Sequence, residues 1–357
     1  MIKPKVYFKP ISGSADRKVC LSEILAGLKP GLEEFKQGEI VGIKTTIGDN
    51  KDTGYVKPEL LRIIVDELNN NKAKPFVFDT NVIYKGMRQN AVDHLNLAYS
   101  KGFIPQELGC PFIIADSVFG TDSEVMRVNL KSLKEVRVPS LISVLENLIV
   151  VTHVTGHMLT GYAASVKNVG MGMASRAGKQ IQHSSLKPHV VKNKCTLCGC
   201  CIEICPAGAI SEKKDKAFIN PDVCLGCGEC ISACKFDAIY INWQEDSNKF
   251  VERTAEYARG ILSRIKRKLF MNFAFDVTKE CDCIAGDDPK IVEDAGIFAS
   301  RDILAADKAC FDILSKQEDA FAKHQNTRAH LHQFDYARQI GLGSLDYELI
   351  KVKPNGR

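Results

Sequence analysis

Cys195-Thr-Leu-Cys198-Gly-Cys-Cys201-Ile-Glu-Ile-Cys205-Pro206 is followed, about 29 residues later, by Cys224-Leu-Gly-Cys227-Gly-Glu-Cys230-Ile-Ser-Ala-Cys234. Both runs have the spacing C-x2-C-x2-C-x3-C, so the segment contains an internal repeat. Three closely spaced thiolates in such a run wrap around one side of an inorganic cluster, and the fourth ligand comes from elsewhere. The duplicated spacing therefore predicts two metal–sulfur centres.

This is the spacing of paired 4Fe–4S clusters, in which the fourth cysteine of each run binds the cluster of the other run. The rule assigns Cys195, Cys198, Cys201 and Cys234 to the first cluster. It assigns Cys224, Cys227, Cys230 and Cys205 to the second. Zinc is the alternative, since C-x2-C pairs also build zinc sites. One such pair supplies only two of the four zinc ligands, so two complete runs favour clusters. The spacing does not require Cys200.

The chain has 357 residues, which suggests about two domains. Its composition, 45% hydrophobic and 25% charged residues, is typical of a globular protein. Residues 1–7 read as a first strand rather than a secretory signal, and no run approaches the roughly 18 apolar residues of a membrane span. Thiolate ligands need a reducing compartment, so we expect a cytoplasmic location. The net charge of +5 is mild and spread along the chain. We expect neither a nucleic-acid nor a membrane partner.

Outside the cysteine runs, apolar strand-like segments alternate with helical patterns, which indicates an α/β domain with a mainly parallel sheet. The pattern resumes after the runs with a helix over 251–269, whose basic end is 264–268. The cysteine segment is therefore predicted to be an inserted α+β ferredoxin-like module. The expected bounds are 1–186 for the first part of the α/β domain, 187–244 for the module, and 245–357 for the continuation and C-terminal tail. A linear array with a separate C-terminal domain is the alternative.

Polar segments follow three of the predicted strands, and ligands of open α/β sheets bind beyond the carboxyl ends of strands. The segments are Asp79-Thr-Asn81 with Lys85, Arg88 and Asn90; His153 to His157 with Gly161, Ser165, Lys167 and Asn168; and Cys281-Asp-Cys283 with Asp287 and Asp288. The glycine-rich stretch 170–179 fits neither the phosphate-loop nor the dinucleotide pattern, and we interpret it as a polar binding loop.

A further metal site is a second hypothesis for these segments. Its ligands would be His153, His157 and His183, together with the soft thiols of Cys281 and Cys283. The alternatives are hydrogen-bonding histidines in a loop and two ordinary buried thiols. The sequence does not identify the metal of this hypothetical site. His330 and His332 lie in a polar stretch and are predicted to be at the surface.

Three resemblances accompany this interpretation. The cysteine runs resemble bacterial two-cluster ferredoxins over about 50 residues. The whole chain resembles the bacterial and archaeal iron–sulfur proteins of domain-of-unknown-function family 362, which implies cluster binding and a ferredoxin module within an α/β protein. The matching stretches are Asp79-Thr-Asn81, Asn90-Ala-Val-Asp-His94, Gly156-His157, Ser165-Val-Lys-Asn168, Gly178-Lys179, Cys281-Asp-Cys283 and Gly296-Ile-Phe-Ala-Ser300 with Asp302 and Asp307.

The third resemblance is to nickel-pincer lactate racemases, in the order of His153, Gly161, Lys167 and His183. In that family the lysine anchors the cofactor and a histidine ligates nickel, which is the role that the resemblance implies for Lys167. This chain has Ala163-Ala164 where the racemase pattern is richer in glycine, and the cysteine segment has no counterpart there.

The sequence thus predicts an iron–sulfur protein that binds two 4Fe–4S clusters and transfers electrons, either to a redox site on its own α/β domain or to a partner enzyme. His157, Lys167 and Asn168 are the candidate catalytic residues, and the partner is a redox protein or a small-molecule acceptor. The alternatives are a non-redox binding or sensor protein that contains clusters, and a metal-dependent enzyme distantly like lactate racemase. No motif names a substrate.

Overall fold

The computed structural model describes residues 3–11, 16–28, 31–49, 54–84, 86–183, 187–205, 207–224, 229–236, 238–240, 247–282, 289–317, 321 and 327–353. The strands, in chain order, are β1 (Lys5–Pro10), β2 (Ile40–Lys44), β3 (Lys74–Asp79), β4 (Phe112–Ile114), β5 (Glu124–Arg127), β6 (Glu135–Val138), β7 (Asn147–His153), β8 (Thr155–His157), β9 (Gly161–Ala163), β10 (His189–Val190), β11 (Ile210–Glu212), β12 (Ala217–Ile219), β13 (Ile239–Tyr240), β14 (Arg267–Ala274), β15 (Gly296–Ser300) and β16 (Glu348–Lys351).

The α-helices are α1 (Arg17–Gly27), α2 (Pro58–Asn70), α3 (Ala91–Ser100), α4 (Pro105–Leu108), α5 (Ser140–Val144), α6 (Ser165–Gly170), α7 (Arg176–Gln182), α8 (Cys200–Glu203), α9 (Glu229–Ala233), α10 (Ser247–Leu262), α11 (Ile303–Leu314) and α12 (Ala329–Gln339). A 3-10 helix spans Gly31–Glu34. Among the residues that the structure describes, no helix is long and apolar enough to cross a membrane.

A large sheet of eight strands, in the order β16-β1-β15-β14-β7-β2-β3-β4, organises the chain. Its strands are mutually parallel except β15, which pairs antiparallel with both β1 and β14. The prediction of a mainly parallel sheet with helices is confirmed. The sheet takes β1–β4 and β7 from before the cysteine runs, and β14–β16 from after them.

Both faces of this sheet are buried, which explains the continuous apolar runs of its strands. Along β7, Leu148 and Val150 belong to one core cluster and Ile149 and Val151 to the other. Successive side chains of a strand point to opposite faces, so one apolar strand serves two cores. Helix α6 packs on the first face and α2 on the second, through Val166 and Leu61 respectively.

The cysteine segment forms its own small structure. β10 pairs with β13 and β11 with β12, both antiparallel, apart from the large sheet. Its small core consists of cysteines and aliphatic side chains, among them Ile210, Ile219 and Ile239. The short helices α8 and α9 stand in equivalent places of the two runs.

Three details differ from the sequence predictions. The helix predicted over 251–269 ends at Leu262, because the backbone N–H groups of Lys266 and Arg267 both donate to the carbonyl of Glu146 and start β14 beside β7. The basic residues thus lie in the turn and the strand. The stretch predicted as a binding loop forms the ends of α6 and α7 with a short connection between them. His330 is buried rather than exposed, and its ring packs on Tyr162 and Phe311.

Candidate functional site

Four cysteines from both runs line one small cavity in the cysteine segment. They are Cys195, Cys198 and Cys201 of the first run and Cys234, the last cysteine of the second. Burial raises the pKa of the Cys201 thiol, and the neighbouring Cys195, Cys198 and Cys234 raise it further. A backbone hydrogen bond from Cys200 lowers the pKa of Cys198. The four sulfur-bearing side chains are thus close enough to affect one another's ionisation.

Backbone amides point at the sulfurs in a repeated pattern. The N–H of Ala209 donates to Sγ of Cys205, and the N–H of Ala238 donates to Sγ of Cys234, each at 3.2 Å. Each donor follows the last cysteine of its run by four residues, so the sequence repeat is also a repeat of geometry. Hydrogen bonds to sulfur stabilise the thiolate form and tune cluster potential.

The second predicted ligand set is described only in part. Cys205, Cys224 and Cys230 belong to the same small core as the first set, whereas Cys227 lies outside the described residues. The ammonium of Lys187 donates to the carbonyl of Cys224 at 2.7 Å, and that of Lys216 donates to the carbonyl of Cys195 at 2.6 Å. The first cysteine of each run is therefore held by a lysine.

Among the residues that the structure describes, no group of three or more His, Cys, Asp or Glu side chains is arranged to hold a single metal ion. That finding concerns single-ion geometry such as tetrahedral zinc. A 4Fe–4S cube takes its four thiolates around a larger body.

A second site is a pocket of about 550 Å³ at the carboxyl ends of β2, β3 and β7. All three polar segments selected from the sequence contribute to it. They supply Asp79, Thr80 and Arg88; His153, His157, Lys167 and Asn168; and Cys281 with Asp282. The structure does not place every selected residue there. Asn81, Asn90, Gly161 and Ser165 do not line the pocket, and Lys85, Cys283, Asp287 and Asp288 lie outside the described residues.

A buried ion-pair network forms the floor of this pocket. Nζ of Lys44 lies 3.0 Å from Oδ1 of Asp79, and both side chains are almost fully buried. Arg88 lies 3.7 Å from Asp79 and 3.8 Å from Asp49. Burial acts to raise the pKa of the Asp79 carboxyl, but Lys44, His94 and Arg88 hold it below its usual range. Asp79 is therefore ionised and paired.

His153 has both ring nitrogens occupied. Nδ1 lies 2.9 Å from Oδ1 of Asp282, and Nε2 lies 2.6 Å from the carbonyl oxygen of Phe275. Two acceptors require two N–H donors, so the ring is an imidazolium. Burial acts to lower the pKa of His153, but the charge and hydrogen bond of Asp282 raise it above the usual value. Neither nitrogen has a lone pair to offer a metal in this arrangement.

His157 is held in the opposite state. Its Nδ1 accepts the backbone N–H groups of Leu159 at 3.1 Å and Thr160 at 3.2 Å. The neutral ring then carries its proton on Nε2. Burial lowers the pKa of His157 well below the usual value, and the nearby charges of Lys167 and His183 lower it further. The ring lies parallel to that of Phe250 with centroids 6.3 Å apart.

Lys167 and Asn168 are neighbours with different roles. Oδ1 of Asn168 accepts from Lys44 at 2.8 Å, and its Nδ2 donates to Oγ1 of Thr152 at 2.9 Å and to the carbonyl of Val151 at 3.2 Å. Asn168 thus ties the pocket floor to β7. Lys167 makes no hydrogen bond or ion pair within the described part of the chain. Burial lowers the pKa of Lys167 to about 8, with Asp282 opposing and Arg88 adding to the shift.

Of the remaining members of the hypothetical metal site, His183 and Cys281 also line this pocket. His183 packs on Phe250 with ring centroids 4.6 Å apart. Cys281 is buried and forms a disulfide. The structure therefore gathers His153, His157, His183 and Cys281 at one pocket, with the ring nitrogens of His153 already used by acceptors.

A family model described as "Domain of unknown function (DUF362)" matches residues 41–312. The chain belongs to this family. The match spans β2 to α11 and so includes the pocket, the cysteine runs and most of the large sheet.

Curated relatives of this DUF362 protein match its cysteine segment. A ferredoxin of Alicyclobacillus acidocaldarius is 38% identical over 61 residues, which cover 16% of this chain and 78% of the ferredoxin. "Ferredoxin 7Fe" of Hydrogenibacillus schlegelii is 48% identical over 40 residues, 11% of this chain and 51% of that protein. The DUF362 chain is therefore an iron–sulfur protein with a ferredoxin-like module.

Among solved structures, the lactate racemase apoprotein of Thermoanaerobacterium thermosaccharolyticum is similar at 14% identity and a TM-score of 0.39. The similarity covers 76% of this DUF362 chain and 51% of the racemase chain. At this level the similarity carries no conclusion about activity.

Two contributors to the pocket of the DUF362 protein, Lys44 and Phe250, were not predicted from the sequence. Lys44 ends an apolar strand, and a lone charge at that position was the available signal. Phe250 lies in the first turn of α10, where its apolar character indicates only a core position. Lys179 belongs to the stretch 170–179 that was predicted to bind a ligand, but its contacts with Oγ1 of Thr80 and the carbonyl of Ala174, at 2.7 and 2.6 Å, depend on the fold.

Proposed function

We propose that this DUF362 protein binds two 4Fe–4S clusters through its two cysteine runs and delivers electrons to a small molecule in the α/β pocket. The observation that carries the proposal is the shared cavity of Cys195, Cys198, Cys201 and Cys234. Cys234 is far from the other three in sequence, and its place beside them supports the exchange of fourth ligands between the runs. By the repeat, Cys205 would complete the set of Cys224, Cys227 and Cys230.

The residues around the two cysteine runs fit a 4Fe–4S cluster. Amide donors at Ala209, Ala217 and Ala238 point at cysteine sulfurs, at 3.2, 3.5 and 3.2 Å. They offset the negative charge that converging thiolates would otherwise leave uncompensated. The ammonium groups of Lys187 and Lys216 add positive charge beside each run. Once bound, the clusters supply one-electron transfer.

The short stretch of chain between the pocket and the cysteine segment supports the delivery of electrons to the pocket. His183 lines the pocket, and Lys187 bonds the carbonyl of Cys224. Four residues span at most roughly 14 Å when fully extended, so the backbone of Lys187 cannot be farther than that from His183. We infer that the module is inserted into the α/β domain at this point and places the second run near the pocket.

Within the pocket, the chain supplies binding groups and protons. Lys167 and His157 offer N–H donors, and Lys167 with a pKa of about 8 is able to release a proton near neutral pH. Reduction of a bound molecule consumes protons as well as electrons, so a donor at the pocket wall suits this use. Asn168, with three hydrogen bonds already made, positions Lys44 rather than acting on a substrate.

Electron paramagnetic resonance tests the cluster part of the proposal. Protein purified without oxygen is reduced with dithionite, and its spectrum is integrated. We expect about two unpaired spins per chain at sufficiently low potential, one from each cluster. No signal from fully reduced protein, or a signal that disappears only in part when both runs are mutated, would refute it.

The delivery part is tested with 3-carboxy-PROXYL, an anionic nitroxide, added to reduced and desalted protein. One electron and one proton convert the N–O radical to the hydroxylamine, and loss of its sharp signal gives the rate. Delivery through the pocket predicts that 3-phenylpropanoate slows this loss by competition, whereas the neutral 3-phenylpropanamide does not. A rate indifferent to both compounds would overturn the pocket as the point of delivery.

A further inference from the structure

We infer that the pocket binds a small organic anion, whose oxyanion group is held between Nζ of Lys167 and Nε2 of His157. The inference deepens the proposed function and rests on it for the use that is made of the anion. Binding itself requires no electron transfer, so it can be tested independently.

The first argument is charge balance. The described residues that line the pocket include five cations, Lys44, Arg88, Lys167, Lys179 and the imidazolium of His153, and three anions, Asp49, Asp79 and Asp282. The excess is two positive charges. A concave site with walls of low polarity concentrates such a field and attracts a ligand of the opposite charge.

The second argument is that the excess positive charge is localised at Lys167. Lys44 pairs with Asp79, His153 pairs with Asp282, and Arg88 lies between Asp49 and Asp79. The ammonium of Lys179 is held by Thr80 and Ala174. Lys167 is the cation of the described pocket that has no hydrogen bond or ion pair to a described residue. The groups that act on its charge from around it are Asp282, Arg88, Glu280 and Lys44.

The third argument is the tautomer of His157. Two backbone N–H groups converge on Nδ1 and leave Nε2 as a donor. Nε2 has no partner among the described residues, although 93% of His157 is shielded from solvent (7% exposed). A hydrogen-bond donor fixed in this way, beside an ammonium, is suited to an oxygen acceptor with negative charge. It is poorly suited to a metal ion, because ligation through Nε2 needs the lone pair that the proton occupies.

The fourth argument concerns the rest of the ligand. Apolar side chains form much of the wall, namely Val82, Ile83, Met158, Leu159, Met171 and Phe250. Cavities of several hundred Å³ with apolar walls and a few placed polar groups are typical of small-molecule sites. An anion with an apolar body fits better than a bare inorganic ion. Carboxylates and phosphate monoesters share the required oxyanion chemistry.

Calorimetry of the cluster-containing, oxidised protein tests the inference with three probes of one shape. They are 3-phenylpropanoate, phenyl phosphate and the neutral 3-phenylpropanamide. We expect one or both anions to bind at least tenfold more tightly than the amide, and the comparison of carboxylate with phosphate identifies the preferred headgroup. Equal binding of all three, or no binding of either anion at millimolar concentration, would overturn the inference.

Variants locate the binding. Lys167→Met should weaken anion binding roughly 10- to 100-fold, the range for one hydrogen bond to a charged group, while Lys167→Arg should retain most of it. Lys268→Met is the matched control, because Lys268 is another lysine whose pKa burial lowers, but it lies on β14 outside the pocket. Unchanged anion affinity in folded Lys167→Met protein, or an equal loss in the control, would contradict the assignment.

These results separate the two proposals. Anion binding with no reducible clusters would leave the site and remove the electron-transfer function. Reducible clusters with no anion binding would leave the cluster part of the proposed function and remove the anion site, together with the competition expected of 3-phenylpropanoate.

Discussion

The carboxylate of Asp307 accepts the backbone N–H of Ser165 at 2.9 Å, and through its other oxygen that of Val166 at 2.8 Å. A buried acid on α11 therefore caps the first turn of α6, the helix that carries Lys167. Asn272 adds a third donor at 2.8 Å. Burial nevertheless raises the pKa of Asp307 to about 7. The orientation of the pocket lysine thus depends on a side chain that does not line the pocket.

Replacing Asp307 with Ala should destabilise the protein by about 2–4 kcal/mol, because two buried amides and the Asn272 side chain lose their acceptor. Asp307→Asn keeps one acceptor oxygen and should cost less. Urea unfolding measures both. Asp335→Ala, at an exposed position of α12, is the control and should change the free energy of unfolding by less than about 0.5 kcal/mol. A change of that small size in Asp307→Ala would show that the cap does not support α6.

Lys167 should lower the stability of the fold at neutral pH. Its pKa is about 8 in the folded chain and about 10.4 when unfolded. The unfolded state therefore holds more protons between these values, so stability from this group is lowest below pH 8 and recovers as the pH rises towards 10.4. Lys167→Met should stabilise the protein by about 1–3 kcal/mol at pH 7 and by little at pH 10.5.

Unfolding at several pH values measures this difference. Lys18→Met, which removes a surface ammonium paired with Glu59, should show no such gain. A Lys167→Met protein that is less stable than the parent at pH 7 would mean that the ammonium has a stabilising partner.

The two nitrogens of His157 can be separated by substitution. In His157→Asn the amide oxygen replaces Nδ1 as the acceptor for Leu159 and Thr160, while the donor at Nε2 is lost. We expect this variant to stay within about 1 kcal/mol of the parent in stability but to bind 3-phenylpropanoate at least tenfold more weakly.

His157→Phe loses both functions, and it should cost about 1–3 kcal/mol in addition to the loss of affinity. Thermal unfolding and calorimetry on both variants test the assignment. Anion affinity that survives in His157→Asn would show that Nε2 does not hold the ligand.

The proposed exchange of fourth ligands between the runs makes a pairwise prediction for the cysteines. Cys234→Ser should alter the same cluster signal as Cys195→Ser, and Cys205→Ser the same signal as Cys224→Ser, although each pair joins opposite runs. Redox-titrated electron paramagnetic resonance distinguishes the two clusters. Cys200→Ser is the matched control and should leave both signals intact. If Cys234→Ser instead matched Cys224→Ser, each run would bind its own cluster.

Much of the architecture was predictable because its signals are local. The alternation of apolar runs and helical patterns predicted the mainly parallel sheet, and β7 shows why: all seven of its residues are buried, and its centre, 148–151, is a continuous apolar run. The end of α10 was not predictable, because Glu146 supplies the acceptor that turns 266–267 into a strand, and that residue is 120 positions away.

The pocket, too, has features that were predictable from the sequence and features that were not. Polar residues after apolar strands are visible in the sequence, so His157, Lys167 and Cys281 could be selected. Their protonation states and hydrogen-bond partners could not be predicted. From spacing alone, His153 and His157 are equally good candidate metal ligands. In the structure, Asp282 and the carbonyl of Phe275 make the His153 ring a cation. The backbone amides of Leu159 and Thr160 keep the His157 ring neutral. Such distinctions depend on partners that only the tertiary structure brings together.

The central claim is that the cysteine runs hold two 4Fe–4S clusters, and metal analysis of protein purified without oxygen tests it most directly. Iron, nickel, zinc and acid-labile sulfide are measured per chain. The account predicts about eight iron and about eight sulfide, with no other metal in stoichiometric amount. Stoichiometric zinc without sulfide, or iron near four with a second metal in its place, would contradict it.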